Sequence, residues 1–513
     1  MAKLIRRHTE PFMIGLLIVV LLTGGRALAQ PIQPETQEGL RLGAPFSDHM
    51  VFQAGAPVRI WGWDTPGSGV TVSLAGHEDA VTADDTGYWL VELPEVTEVG
   101  PHILRVEGSN TVTVTDAVAG EVWWCSGQSN MQWPVNRSWG QDWVLKMRPQ
   151  SNIRLLRLPH TGSVRPQADL DVDWQISGPD TLPGFSAVAF YFAHTLQKEL
   201  DRPVGVIQAA WGGSKIQAWL PPDVLDASPH RDRLVNRYAQ AKTRFEQALA
   251  DWEAGGRVGP RPLPRGGGPN QQPSGAANGM VKPFESMSIR GALWYQGESD
   301  IDITGIYGEL FAELVASWRN TFRDPDLPVY FVQLPNFAKN QANWANFRNQ
   351  QRLTALDLSG VDMAVTIDVG KADDIHPPNK LPVGKRLARL ALHHTYGRDD
   401  MVAGSPRPVE VGPDPEDPRR VRVAFDRVGA GLHTGQAGGP PRTFVLVDRS
   451  GARKIADAEI EGKNKVMLSH PEITDPVAVR YANSAGPKVN LMNSEGLPAT
   501  PFRIRIDSVS EPE

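Results

Sequence analysis

Val122-Trp123-Trp124-Cys125-Ser126-Gly127-Gln128-Ser129-Asn130-Met131 is an apolar run that stops abruptly in a glycine and a serine. Bulky apolar residues at consecutive positions predict a strand buried on both faces, as at the centre of a parallel sheet. A hydroxyl directly after such a strand stands at its carboxyl end, where open α/β sheets collect their ligands. Gly127 lets the backbone approach a neighbour closely, and a backbone N–H in such a turn can stabilise an oxyanion. On position alone, Ser129 reads equally well as a polar turn residue.

Outward from this stretch, strands and helices alternate. Residues 186–200 carry Val188, Phe192, Leu196 and Leu200 at helical spacing, and Val204-Gly205-Val206-Ile207 follows as a strand ending at Gly212-Gly213. A run of helix formers covers about 230–253. Gly291-Ala292-Leu293-Trp294-Tyr295, Val329-Tyr330-Phe331-Val332 and Ala364-Val365-Thr366-Ile367 read as further strands. This alternation predicts an α/β domain over residues 118–402, a parallel sheet with helices on both faces. The Gly/Pro-rich stretch at about 255–279 is expected to be a mobile surface loop.

The flanks have another texture. Residues 30–117 contain short runs such as Val58-Arg59-Ile60-Trp61 and Tyr88-Trp89-Leu90-Val91, broken by Pro66-Gly67 and Gly100-Pro101, and predict a small β-sandwich. Residues 403–513 return to strands without long helices, among them 421–425, 443–447, 477–481 and 502–504, and form a second β module. Residues 1–29 read as a cleavable signal peptide, with basic Lys3, Arg6 and Arg7, an apolar run from Phe12 to Leu22, and Ala27-Leu28-Ala29 before the cut. The protein is therefore expected in the periplasm or outside the cell, free of the membrane after cleavage. The formal charge of −6 argues against a nucleic-acid partner, and a single cysteine excludes an internal disulfide framework or a multi-cysteine zinc site.

Ser129 sits in Gly-x-Ser-x-Met, which differs from the Gly-x-Ser-x-Gly elbow of α/β-hydrolases. Cys125 is intrinsically the better nucleophile, but its place inside the apolar run makes it packing. His376 lies in Asp373-Asp374-Ile375-His376-Pro377-Pro378, after a core strand and with carboxylates two and three residues upstream. An aspartate accepting from Nδ1 leaves Nε2 free to take a serine proton. Gly212-Gly213-Ser214 and Gln296-Gly297-Glu298-Ser299-Asp300 end two other strands with oxyanion-donor types, a glycine N–H and a side-chain amide. Metal ligation has no support: there is no His-Glu-x-x-His, and His393 and His394 are adjacent on a helix and diverge.

Together these blocks resemble the four motif blocks of the SGNH/GDSL hydrolases, in the form seen in sialate O-acetylesterases and related acetylxylan esterases. The resemblance extends to Phe46-Ser47-Asp48-His49-Met50-Val51-Phe52-Gln53, to Trp211-Gly212-Gly213-Ser214 with Ala218-Trp219, to Asn278-Gly279-Met280, to Trp294-Tyr295-Gln296-Gly297-Glu298-Ser299, to Asn379-Lys380, and to the segment 495–503. It implies a three-layer α/β/α core and hydrolysis of acetyl esters on a carbohydrate without a cofactor. It further implies Ser129 as nucleophile, His376 as base, and an oxyanion hole from the Ser129 and Gly213 N–H groups with the Gln296 side chain. Gly212 is the alternative to its neighbour. The general Asp-x-x-His spacing selects Asp373, the sialate-type Asp-Ile-His wording selects Asp374, and a Ser-His pair uses neither. The residues by themselves are also compatible with a short-chain esterase or a carbohydrate-binding protein on a hydrolase scaffold.

Overall fold

The computed structural model describes residues 39–339, 343–436 and 438–506; the signal peptide expected over residues 1–29 lies outside the described residues. The molecule is organised by one strand of 17 residues, Thr111–Gly127 (β1). Its first half is exposed at alternate residues and pairs antiparallel with His102–Glu107, whereas from Ala117 onward it is buried without interruption. The expected boundary at 117/118 thus falls inside a continuous strand. The change from alternating to continuous burial records the passage from a sheet with one wet face to one covered on both.

The central sheet continues with Gln150–Arg157 (β2), Trp174–Ser177 (β3), Val204–Ala210 (β4), Gly291–Tyr295 (β5), Val329–Val332 (β6) and Val361–Ala364 (β7), in the order β3-β2-β4-β1-β5-β6-β7. All neighbours are parallel except β3, which runs antiparallel to β2 at one edge, so the sheet is mixed. The domain's helices include Ser129–Gln132 (α1), Ala187–Leu200 (α2), Arg231–Ala254 (α3), Thr304–Thr321 (α4), Trp344–Asp357 (α5) and Leu381–His394 (α6). Side chains of a strand alternate between faces. Trp123 and Cys125 accordingly pack with α2 and α6, while Trp124 packs on the other face with Phe284, Phe322 and the α4 core. Ser186 starts α2 by accepting from the Ala189 N–H, which satisfies one of the orphan donors of the first turn.

On the amino-terminal side, Arg41–Leu42, Val58–Trp63 and Tyr88–Leu93 form a three-stranded sheet, and Gly69–Leu74, His77–Thr82 and His102–Glu107 join the first half of β1. On the carboxyl-terminal side are two four-stranded antiparallel sheets. Buried Arg348 of α5 ties this part to the central domain: it donates to the Ser484 carbonyl and, at 3.1 Å, to Asn336 Oδ1.

The mobile loop expected at 255–279 needs correction. Residues 255–265 are largely exposed, but 274–280 are buried. The glycines serve close approach: a Cβ on Gly267 would lie 2.5 Å from Lys242 Cα, and one on Gly279 would lie 2.2 Å from the Thr161 carbonyl oxygen. The polar residues are structural as well, since Asn270 and Gln271 donate to the Gly212 and Gly213 carbonyls at 2.8 Å each. Composition signalled looseness where the chain uses small residues to fit against backbone.

The registers bring three strand ends together. Ser126 and Gly127 of β1 stand beside Ala209 and Ala210 of β4 on one side and Trp294 and Tyr295 of β5 on the other. Gly127 has φ +136°, and a Cβ there would lie 2.2 Å from the Tyr295 carbonyl oxygen. Gly127→Ala is therefore expected to destabilise the protein by about 2 kcal/mol or more, the strain of a disallowed backbone plus a clash against a strand. Urea unfolding followed by tryptophan fluorescence measures it, and a change within error of wild type contradicts this packing.

Candidate active site

Directly after Gly127 the chain turns. Gln128 N–H donates to the Tyr295 carbonyl at 2.9 Å, Trp211 N–H donates to the Gly127 carbonyl at 3.0 Å, and Ser129 opens α1. The Ser129 hydroxyl lies 2.8 Å from His376 Nε2, although 247 residues separate them. With the hydroxyl donating, Nε2 is the basic nitrogen and the ring proton sits on Nδ1. The His376 ring stacks on Trp133 at 5.3 Å and 17°, and the Arg137 guanidinium lies 4.3 Å from the centre of the Trp133 ring. Burial, then the nearby Lys380 cation, push the His376 pKa below the ordinary histidine value, and Asp374 opposes them. Near neutral pH the imidazole is thus the free base.

The two candidate aspartates are treated differently by the fold. Asp373 is exposed. Asp374 is half-buried, and its Oδ1 accepts from the His376 backbone N–H at 2.9 Å. Among the described residues no carboxylate accepts from His376 Nδ1, so the Asp–Nδ1 contact expected from sequence is absent for both.

The oxyanion candidates also separate. Gly212 N–H is committed to Gln132 Oε1 at 2.7 Å, whereas Gly213, at φ +71°, has an N–H with no acceptor among the described residues. Ser129, at the first position of α1, likewise has no backbone acceptor for its N–H. Gln296 is a correction. It is fully buried, with Nε2 donating to the Ser214 carbonyl at 3.2 Å and to Asp300 Oδ2 at 2.7 Å, while Oε1 accepts from Tyr307 Oη at 2.8 Å. Both amide hydrogens are used inside the protein, by the Ser214 carbonyl and Asp300, and Tyr307 occupies the amide oxygen. Gln128 differs: Oε1 accepts from the Gly297 and Ser299 N–H groups at 3.3 and 3.2 Å, which leaves Nε2 without a partner among the described residues.

Sequence reasoning assigned no role to Asn130, Glu298 or Lys380, which lie beneath the Ser129–His376 pair. Asn130 Nδ2 donates to Glu298 Oε1 at 2.5 Å and to the Ile375 carbonyl at 2.9 Å, and Lys380 Nζ donates to Asn130 Oδ1 at 2.5 Å. The available signal was position: Asn130 follows Ser129, and Lys380 lies four residues after His376. On the opposite flank Gln132 Nε2 meets His160 Nε2 at 3.1 Å, and His160 stacks on half-buried Trp211 at 5.1 Å and 7°. A separate cavity of about 930 Å³, lined by residues such as Pro221, Val224, Asn278 and Glu313, includes neither Ser129 nor His376.

A basic imidazole on a serine hydroxyl, beside two unpaired N–H groups, is an arrangement for acyl transfer. A solved carbohydrate acetylesterase structure from Xanthomonas citri aligns with 32% identity over 91% of this chain and 99% of its own, at a TM-score of 0.78. The model of the carbohydrate esterase, sialic acid-specific acetylesterase family matches residues 119–254 and 276–393. The chain belongs to that esterase family. Sialate O-acetylesterase of Mus musculus is 29% identical over 419 residues, 73% of this chain and 76% of its own length. The Homo sapiens sialate O-acetylesterase is 27% identical over 416 residues, 73% of this chain and 74% of its own.

The esterase-family match contains both Ser129 and His376 and omits 255–275, most of the exposed part of the Gly/Pro-rich stretch. Cys125, in this member, is fully buried with its thiol pKa pushed up by that burial, and its Sγ faces the Trp123 carbonyl at 3.7 Å. A thiol reagent such as 5,5′-dithiobis(2-nitrobenzoate) is therefore expected to leave the native enzyme unlabelled and active, and to react only after denaturation. Rapid labelling with loss of activity contradicts this reading of Cys125.

Proposed function

We propose that this carbohydrate esterase is an exported O-acetylesterase on an SGNH-type three-layer core, working through an acetyl-Ser129 intermediate. The observation that carries the reading is the 2.8 Å contact between Ser129 Oγ and His376 Nε2 at the carboxyl end of the central strand. His376 removes the hydroxyl proton as Ser129 attacks the acetyl carbonyl. The oxyanion collects on the Ser129 and Gly213 N–H groups, with Gln128 Nε2 as the side-chain donor in place of Gln296. His376 then returns its proton to the departing sugar hydroxyl, and a water activated by the same base releases acetate. No step requires a cofactor. The domains proposed are residues 30–117, 118–402 and 403–513 after a signal peptide of residues 1–29.

The substrate reading favoured by the family is an acetylated sugar of the sialate type. A second reading, an acetylated plant polysaccharide such as acetylxylan, draws on Trp139. Its side chain is 57% exposed, and its backbone N–H donates to the Pro378 carbonyl at 3.0 Å, two residues past His376. A tryptophan held at the rim suits stacking on a further sugar ring. Acetate release from acetylated sialic acid compared with acetylated xylan discriminates the two.

Ser129→Ala is expected to abolish hydrolysis of p-nitrophenyl acetate with the fold intact by circular dichroism; wild-type-like turnover in that variant overturns the mechanism. Asp374→Ala is expected to lose at least about tenfold more kcat/KM than Asp373→Ala, roughly 1.4 kcal/mol, because of the two only Asp374 accepts from the His376 backbone N–H. Equal, small losses favour a Ser-His pair that needs neither. The acid limb of kcat/KM is expected to have its midpoint below about 6.5, the ordinary histidine value, since burial and Lys380 hold the His376 pKa down. A midpoint above it contradicts that environment.

A further inference from the structure

The reading of His376 as the base leaves a mechanical question. An imidazole must be aimed within a few tenths of an ångström of the hydroxyl it serves. The usual device, a carboxylate on Nδ1, is missing here among the described residues. Trp133 fixes the ring plane by stacking, but a stacked ring can still slide. What holds the loop that carries it lies one residue earlier, at the Ile375 carbonyl.

That carbonyl accepts from Asn130 Nδ2 at 2.9 Å. Asn130 is buried completely and is the residue after Ser129, so one side chain joins the serine turn to the histidine loop. Its amide is saturated from the interior. The second Nδ2 hydrogen goes to Glu298 Oε1 at 2.5 Å, and Oδ1 accepts from Lys380 Nζ at 2.5 Å. Lys380 is itself fully buried at the start of α6, with its Nζ 5.3 Å from the Tyr295 ring and 5.8 Å from the Trp133 ring. Glu298 comes from the turn after β5, and its Oε2 is buried without a partner among the described residues. Burying an ammonium and a carboxyl is costly unless their geometry is used. Here three elements, the turn after β1, the turn after β5 and the His376 loop running into α6, meet on one amide.

We infer that Lys380, Asn130 and Glu298 are positioning residues for catalysis: a buried relay that clamps the Ile375 carbonyl, and with it His376, onto Ser129. The inference rests on the Ser129–His376 mechanism proposed above. Lys380 acts in two ways. Its hydrogen bond fixes the rotamer of Asn130, and its charge stands near the His376 ring. The charged and titratable groups around that ring are Lys380, Asp374 and Arg137, and those around Lys380 are Glu298 and Asp374. Desolvation pushes the Lys380 pKa down to about 7, with Glu298 and Asp374 opposing. On the acid limb, where His376 titrates, Lys380 is therefore protonated and disfavours imidazolium. Removing the cation raises the His376 pKa and moves the limb to higher pH.

The test uses the full-length enzyme with p-nitrophenyl acetate as probe, and Ser129→Ala as reference. Asn130→Ala cuts the link to the Ile375 carbonyl and is expected to lower kcat by about 10²-fold with little change in KM, leaving the acid limb near its wild-type position. Lys380→Met removes the cation while keeping an unbranched chain, and is expected to lower kcat and to shift the acid limb upward. A relay that merely stabilises the fold lowers Tm in both variants but leaves kcat per folded molecule and the limb unchanged, and that result overturns the inference. So does wild-type kcat in Asn130→Ala while Ser129→Ala is dead. Should Lys380→Met fail to fold, the kcat and KM of Asn130→Ala decide alone. Activity surviving in Ser129→Ala removes the parent mechanism and the relay with it.

Discussion

Everything at this site depends on how closely β1 and β5 approach at their carboxyl ends. Gly127 is the contact point. Its main chain runs against the Tyr295 carbonyl at a distance that leaves no room for a Cβ, and its positive φ turns the chain there. The next backbone N–H, from Gln128, closes on the same carbonyl. Ser129 is thereby delivered at a strand end flanked by Gly212-Gly213 on one side and by the Gly297 turn on the other. A larger residue at 127 would push the strands apart, and the N–H groups, the hydroxyl and the imidazole would no longer converge.

Around that contact two buried amides are fully paired: Gln296 with Ser214, Asp300 and Tyr307, and Asn130 with Glu298, Ile375 and Lys380. In the turns that meet at Ser129, the N–H groups of Ser129 and Gly213 and Nε2 of Gln128 have no protein partner among the described residues. Donors held ready and unpaired beside a nucleophile are worth most where charge develops in the transition state, because little reorganisation remains to be done. The same burial that orders the paired groups also lowers the His376 pKa, so orientation and basicity come from one source.

Much of this was legible in the chain. The apolar run before Ser129 predicted a buried strand, and the glycine-rich ends of the runs at 204–210 and 291–295 predicted the neighbours that meet it. Local periodicity carries such information because buried parallel strands read as continuous apolar runs. The choice between near-equivalent neighbours was not legible. Gly212 differs from Gly213 only because Gln132, far away in sequence, reaches one N–H and not the other. Gln296 was misread because Asp300 and Tyr307, one turn of chain and one helix away, consume its amide. The 255–279 stretch was misread because composition records flexibility of the unfolded chain, not the close approach that glycine permits in the folded one.

The central claim is that Ser129, activated by His376, is the group that becomes acylated. Intact-protein and peptide mass spectrometry after treatment with an alkyl fluorophosphonate tests it most directly, because the reagent captures an activated serine as a stable adduct. The account predicts a single adduct, on Ser129, in the wild-type enzyme, and none at the same exposure in His376→Ala. An adduct on another residue, or undiminished labelling of Ser129 without His376, contradicts it.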